Sequence, residues 1–426
     1  MEEILSKALD ILLFVVLLLI LIGFHEFGHL LAAKLAKIPV DKFSIGFGPA
    51  IFKWKMKAGG ETTYQLSIIP LGGYVKFKGE DYDDPDGFFS YSFSRKTIVT
   101  SAGVIANFIL AVIIYFVIGV GWGVEDRPPV INFPETSVFY RAGFSPADSI
   151  VSIDGEKISH FYQIENHLRN QTDTMNITVA RPGQKVTLRL PPADTVAVEY
   201  NYSNKIGRVN KRGPAARAGI KKGDRIISID GVEITSWTDL SEQVANADTS
   251  TPLTVAWIHQ AETLKASLTP TTIKTAGGSQ KVGIGVYSHT PMRPMTFLEV
   301  LWMPFARTAS VTGQIFILLG RLIVGKESPR NLGSFILIAS LTSESRRLGF
   351  DLVLGLLAYL SISLAIINLF PIPVLDGGRI LMFSIEKIAR RRLGKKAWTI
   401  AMNVGLVLLL ALIGFTLFND VMRCIG

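Results

Sequence analysis

The amino-acid sequence predicts a polytopic α-helical membrane protein with four transmembrane helices, a membrane-associated β-hairpin sheet and two inserted α+β domains. Three observations predict it. The 426 residues are 48% hydrophobic with a mean hydropathy of +0.34, which is high for a chain that stays in water and suggests several spans plus aqueous domains. The net charge of +9 gathers beside apolar segments, a pattern set by membrane topology rather than by nucleic acid, so no nucleic-acid partner is expected. A polar stretch between the second and third spans is duplicated. Cys424 is the only cysteine, which excludes an internal disulfide framework and a cysteine-based metal site.

Residues 1–36 form the first span, longer than the ~20 residues a helix needs to cross. It starts with the acidic Met1-Glu2-Glu3 and has no small-residue cleavage site ahead of its polar residues, so it reads as an uncleaved span. Inside it stands Gly23-Phe24-His25-Glu26-Phe27-Gly28-His29. His-Glu-x-x-His on a helix sets His25 and His29 one turn apart on one face. Two neutral imidazoles at that spacing hold a zinc ion, and Glu26 between them can take a proton from water. A core histidine pair bonded to a glutamate is the bland alternative. It is costly in hydrocarbon, where an ionisable cluster is functional by default. Asp10 lies 15 residues from His25, ~22 Å along a helix, too far to be a third ligand.

Residues 37–96 leave the membrane and turn rich in glycine and strand formers. The runs 50–56 and 62–69 flank a Gly59-Gly60 turn, and Gly72-Gly73-Tyr74-Val75-Lys76-Phe77 follows; such runs read as hairpins. A protease binds its substrate extended, so an exposed strand edge beside the histidines could add it as one more strand. Residues 97–124 are the second span, where Ser101-Ala102-Gly103 is suited to close helix packing and Asn107 could hydrogen-bond near the histidines.

Residues 125–292 carry the duplication. Arg141-Ala142-Gly143-Phe144-x-x-x-Asp148-x-Ile150-x-x-Ile153-Asp154-Gly155 recurs 76 residues on as Arg217-Ala218-Gly219-Ile220-x-x-x-Asp224-x-Ile226-x-x-Ile229-Asp230-Gly231. That offset suits two small domains, 125–203 and 204–292. The pattern resembles PDZ domains, closely in the second copy, while the first has Ala147 where the second has glycine. In the second copy Gly207, Arg208 and Val209, after Lys205-Ile206, could form the backbone loop that receives a peptide carboxylate.

Residues 293–347 read as interfacial helices. Their apolar run 310–320 is bracketed by Arg307 and Arg321, ~20 Å of helix against ~30 Å of hydrocarbon, with a break at Pro329. Residues 348–375 are the third span and end in Asn368-Leu369-Phe370-Pro371-Ile372-Pro373-Val374-Leu375-Asp376-Gly377-Gly378-Arg379. Two prolines and two glycines break the helix at membrane depth, which is tolerated only against protein or a cavity. An acid at that break is the expected third zinc ligand. A basic loop over 376–397, a fourth span over 398–420 and a tail over 421–426 complete the chain. The loops 37–96 and 379–396 are both rich in Lys and Arg. The positive-inside rule makes their side cytoplasmic, with the duplicated domains and both termini outside and the His motif toward the cytoplasmic face.

His25-Glu26-Phe27-Gly28-His29 in a first span, a PDZ pair and Asn368-x-x-Pro371-x-Pro373-x-x-Asp376-Gly together resemble the site-two protease family of intramembrane metalloproteases. The resemblance spans nearly the whole chain. It implies zinc held by His25, His29 and Asp376, with Glu26 as general base. It also implies that Asn368 holds or orients substrate, that the hairpins bearing Gly72, Gly73 and Tyr74 clamp it as a strand, and that Asn107 belongs to the surroundings. Implied partners are single-pass membrane proteins of the anti-sigma-factor type, signal-peptide remnants, an upstream site-one protease and the lipid bilayer of a bacterial inner membrane. The PDZ pair would filter substrates by size or bind their termini. A PDZ-bearing scaffold with a structural metal is countered by a three-ligand site with an open position. A zinc transporter is countered by the scarcity of acids and histidines along the spans.

Overall fold

A computed structural model describes residues 2–56, 62–80, 84–133, 136–169, 171–192, 199–200, 202–274, 280–327 and 335–425. The expected Gly59-Gly60 turn and the break at Pro329 lie outside the described residues. Two compact units are present, Met1–Gly121 with Met295–Gly426, and Trp122–Pro294.

The first unit runs α1 (Glu2–Leu35), β1 (Val40–Met56), β2 (Thr62–Phe77), α2 (Phe93–Trp122), α3 (Phe297–Ile323), α4 (Phe335–Leu348), α5 (Phe350–Asn368), α6 (Asp376–Ala389) and α7 (Lys395–Ile425). Among the described residues four helices are long and apolar enough to cross a membrane: Ile4–Leu35, Phe93–Trp122, Phe350–Asn368 and Lys395–Met422. Leu17 and Leu21 of α1, Leu110 and Ile114 of α2, and Leu357 and Ile362 of α5 pack into one apolar cluster. Only 6% of the most apolar stretch of α7 is covered by protein, against 39% in α2 and α5. Such a helix is stable only where its outer face meets lipid.

The region read as interfacial helices contains a continuous 27-residue helix, α3, that runs through both Arg307 and Arg321. Val311 and Ile315 on its buried face join the cluster of α1, α2 and α5. Within it the Arg307 guanidinium reaches the Tyr115 hydroxyl of α2. Helix α4 is held at both ends by carboxylates from other helices. The Leu337 N–H donates to Asp420 of α7 at 3.2 Å, while Ser343 donates to Asp10 of α1 at 2.7 Å and Arg346 pairs with the same acid. Asp10 thus has an arginine partner inside the bundle, which an acid in a span requires. An acid at a helix start and cations near its end both suit the helix dipole.

The two long strands fold back so that four segments lie side by side in one sheet. Residues 42–45 lie between residues 63–66 and residues 73–76, and residues 63–66 also pair with 52–55. Residues 73–76 are therefore an edge. The end of that edge is anchored by aromatic packing: Phe77 stacks on Phe88 at 4.3 Å, and Phe89 meets Trp398 of α7 edge-on at 5.0 Å. Buried Lys96 lies 4.5 Å over the Phe383 ring of α6 and 3.5 Å from Glu386.

The second unit contains two four-stranded sheets of the same order. One runs Glu156–Lys157, Ser149–Ile153, Met175–Arg181, Gln184–Leu190; the other runs Val232–Glu233, Arg225–Ile229, Leu253–His259, Glu262–Leu268. Each copy has its own apolar core. The duplicated residues have local reasons. Asp154-Gly155 and Asp230-Gly231 hold the positive φ angles (47° and 87°, 49° and 83°) of a tight hairpin turn. Asp148 and Asp224 accept the turn N–H groups of Ser145 and Lys221 at 2.9 and 2.8 Å. Ala147 sits at φ 69° where Gly223 sits at 95°; a β-carbon there is strained.

Candidate active site

The site is built on one stripe of α2 facing one stripe of α1. Val99, Gly103 and Asn107 follow one another at single-turn spacing. The His29 Nδ1–H donates to the Val99 carbonyl at 2.8 Å, which leaves the Nε2 lone pair free to point inward. At Gly103 the helix comes so close that a β-carbon would lie 2.3 Å from His29 Nε2 and 2.8 Å from His25 Cε1. Asn107 is fully buried. Its amide lies 3.2 Å from His25 Nδ1, and the Ser361 hydroxyl of α5 donates to its backbone carbonyl at 2.8 Å. An imidazole that offers Nε2 to a metal carries its proton on Nδ1 and needs an acceptor there. Oδ1 of Asn107 is buried with no hydrogen-bond partner, so the amide orientation that satisfies both groups turns Oδ1 onto His25 Nδ1.

The acid comes from the broken helix. After α5 the chain turns through Pro371 and Pro373 and restarts at Asp376. The restart packs directly on the turn: a β-carbon on Gly377 would lie 2.1 Å from the Leu369 carbonyl oxygen, and one on Gly378 the same distance from that of Ile372. Only glycine fits at both, and this packing aims Asp376 at the histidines. Asp376 Oδ2 lies 3.2 Å from His25 Nε2 and 3.3 Å from His29 Nε2, and the two imidazole nitrogens are 3.3 Å apart. Tetrahedral zinc with arms of ~2.0–2.1 Å needs ligand atoms about 3.3–3.4 Å apart. The three atoms span one face of that tetrahedron, and Asp376 Oδ2 is buried without a hydrogen-bond partner. The donor set fits a zinc ion with one position left for water.

Glu26 is outside this triangle. Its Cγ would lie 2.7 Å from a β-carbon on Gly73, so its side chain rests against the edge strand. A cavity of about 750 Å³ is lined by His25, Glu26, Asp376, Asn368 and edge residues that include Gly72, Gly73 and Tyr74. Asn368 Nδ2 is 3.5 Å from His25 Nε2. At the cavity's other side Glu80 stands 4.0 Å from Arg379; burial pushes its carboxyl up, with Arg379 opposing. His25, Glu26, His29, Asn107, Asn368, Asp376, Gly72, Gly73 and Tyr74 thus come together.

Gly207, Arg208 and Val209 do not form an open loop. They belong to a strand, Ile206–Val209, paired with Val286–Ser288, and a β-carbon on Gly207 would lie 2.3 Å from the Ser288 carbonyl oxygen. The glycine was legible in sequence; its packing beneath a neighbouring strand was not. Sequence reasoning missed Val99, which acts through its backbone, and assigned Gly103 to helix packing. The single-turn spacing of Gly103 and Asn107 was the available signal.

Two histidines and a carboxylate converging inside an apolar bundle, with a glutamate beside them and a strand edge along the cavity, define a metallopeptidase set in a membrane protein. The profile of peptidase family M50 matches residues 13–412, and the chain belongs to that family of site-two zinc metalloproteases. The regulator of sigma-E protease RseP of Escherichia coli (strain K12) is 31% identical over 98% of this chain and 100% of its own length. RseP of Salmonella typhimurium (strain 14028s / SGSC 2262) is 30% identical over 96% and 98%. A protein of Neisseria meningitidis serogroup A with the words "zinc metalloprotease" in its description is 30% identical over 98% and 99%. Among solved structures, the PDZ domain of an SdrC-like protein from Listeria monocytogenes covers 22% of this chain and 93% of its own length, at 24% identity and a TM-score of 0.18.

Proposed function

We propose that this chain cuts a peptide bond within transmembrane segments of pre-trimmed single-pass membrane proteins, of the anti-sigma-factor type, and of signal-peptide remnants. His25, His29 and Asp376 hold the zinc ion. The observation that carries this reading is the triangle of ligand atoms at 3.2–3.3 Å with Glu26 outside it, against the edge strand. When bound, zinc supplies Lewis acidity, which acidifies water and polarises a peptide carbonyl. Glu26 takes the proton of the attacking water and passes it to the leaving amine. Residues 73–76, with one side of the strand unpaired within the sheet, receive the substrate as an added strand. This holds the scissile segment unwound, because a helical carbonyl is tied to its own amide. The Asn368 amide, beside His25, orients the substrate carbonyl.

The relatives named as regulators of sigma-E protease support a place in regulated intramembrane proteolysis in a bacterial inner membrane, downstream of a site-one protease. The basic loops support an active site toward the cytoplasmic side, with the duplicated unit, read as two PDZ domains, and both termini outside. That unit acts as a size filter on substrates. Glu26→Gln and Asp376→Ala test the roles directly. Glu26→Gln keeps zinc and loses cleavage, whereas Asp376→Ala loses both. Full zinc content in Asp376→Ala, read by mass spectrometry of the purified protein, removes Asp376 from the ligand set.

A further inference from the structure

The second of the two repeated domains carries a charged surface that the first lacks. Residues 205–225 hold eight cations and one acid, whereas the matching residues 129–149 hold one cation, Arg141, and two acids. Lys211, Arg212, Arg217, Lys221, Lys222 and Arg225 are all exposed. The single acid does not neutralise them at the surface: Asp224 is 3% exposed and is engaged by the Lys221 N–H and by His259. Two of the cations share a neighbour. Lys205 and Lys222 both act on His289, whose imidazole is held below its ordinary value by burial first and by these two charges next. Both copies build the same sheet, so the fold itself does not require the charge.

We propose that this face docks on anionic phospholipid headgroups of the membrane that the chain spans. The chemistry favours lipid over a protein partner. A protein interface needs buried aromatic or aliphatic anchors at its centre and is depleted of lysine there. No large apolar side chain between Tyr140 and Val232 is exposed among the described residues. Long cationic side chains on an open surface instead suit a diffuse array of phosphates, acting within a Debye length. The tether is short: Arg293, which ends the last strand before the helix, is four residues from Phe297, where α3 begins. A short tether keeps the local concentration of membrane surface high.

The test uses the full chain in nanodiscs of phosphatidylcholine alone or with roughly two-fifths phosphatidylglycerol, a share that gives a substantial negative surface potential. A dye at exposed Ser250 (Ser250→Cys with Cys424→Ser) reports energy transfer to labelled headgroups. Transfer rises in the anionic discs and falls as salt is added. It returns to the phosphatidylcholine value in Lys221→Glu/Lys222→Glu/Arg225→Glu, with docking weakened roughly fivefold per cation removed. Lys211→Glu/Arg212→Glu, on a separate turn, gives the same direction if the first variant disturbs folding. The His289 imidazole titrates higher in anionic discs, because nearby phosphates favour its charged form. Equal transfer in the two lipid compositions overturns the proposal. So does charge-dependent binding of a soluble acidic peptide with no response to lipid, which assigns the face to a protein partner.

Discussion

Gly103→Ala is the sharpest probe of the site, because it adds one methyl group where the structure leaves no room. The new β-carbon would stand 2.3 Å from His29 Nε2 and 2.7 Å from His29 Cε1. Ordinary contact for such atoms is about 3.5 Å, so the ring must retreat by roughly 1 Å. It cannot retreat freely, since its Nδ1–H is bound to the Val99 carbonyl one turn earlier on the same helix at 2.8 Å. Metal sites tolerate about ±0.2 Å in ligand distance, and disturbing a group that merely orients a ligand costs about 10–100-fold in affinity. Displacing the ligand atom itself therefore weakens zinc binding at least about a hundredfold. Alanine is also the better helix former by up to ~1 kcal/mol, so general unfolding is not the expected route to zinc loss. Zinc retained against chelators of graded strength, measured on purified protein beside cleavage of a membrane-anchored model substrate, reads the effect. Unchanged zinc affinity together with full turnover would refute the close approach of α2 to His29.

Proline at Tyr74 or at Val75, made separately, tests the substrate strand. Neighbouring N–H groups of a strand point to opposite sides, so one of the two removes an edge donor; slowed cleavage with zinc retained is expected, and unchanged turnover in both sinks the strand-addition reading. Ala147→Gly relieves a left-handed backbone position (φ 69°) and should stabilise the second unit by about 1 kcal/mol. Its converse Gly223→Ala should destabilise it by a similar amount, and calorimetric transitions of the full chain that do not move, or move oppositely, contradict the strain. Deleting 125–292 should let untrimmed substrates be cut. A deletion variant that keeps zinc and cuts trimmed substrate yet still rejects untrimmed substrate removes the size-filter reading. Gly207→Asp is no clean control for that unit, since it would press a side chain onto the Ser288 carbonyl and unsettle the sheet.

Local pattern determined a good deal. The spacing of His25 and His29 fixes a shared face on any α-helix, so half of the ligand geometry was written in five residues. Apolar length marked four helices that could span a membrane, because hydrocarbon demands runs that few other environments demand. The Asp-Gly pairs were legible as part of the repeat, and the structure seats them in tight turns because few other residues accept two positive φ angles in a row. Charge along 293–347 gave the short apolar run between Arg307 and Arg321, but the partner of Arg307, the Tyr115 hydroxyl of α2, comes only from the packing of two distant helices.

Tertiary structure alone decided what depends on the meeting of distant segments. Asp376 reads as a candidate ligand from its broken helix, but the 3.2 and 3.3 Å distances to His25 and His29 depend on how α6 restarts against its own turn. The fixing of the His29 tautomer comes from a backbone carbonyl, which leaves no trace in residue type. Gly103 looks like any small residue of a packed span until the histidines are set against it. Gly207, which suggests a ligand loop in sequence, lies in a strand where a β-carbon would stand 2.3 Å from the Ser288 carbonyl oxygen, a close approach that residue type does not reveal. Sequence records what each residue offers, whereas contact between helices fixes which offer is taken up, because a site of this kind is defined within a few tenths of an ångström and a local pattern is not.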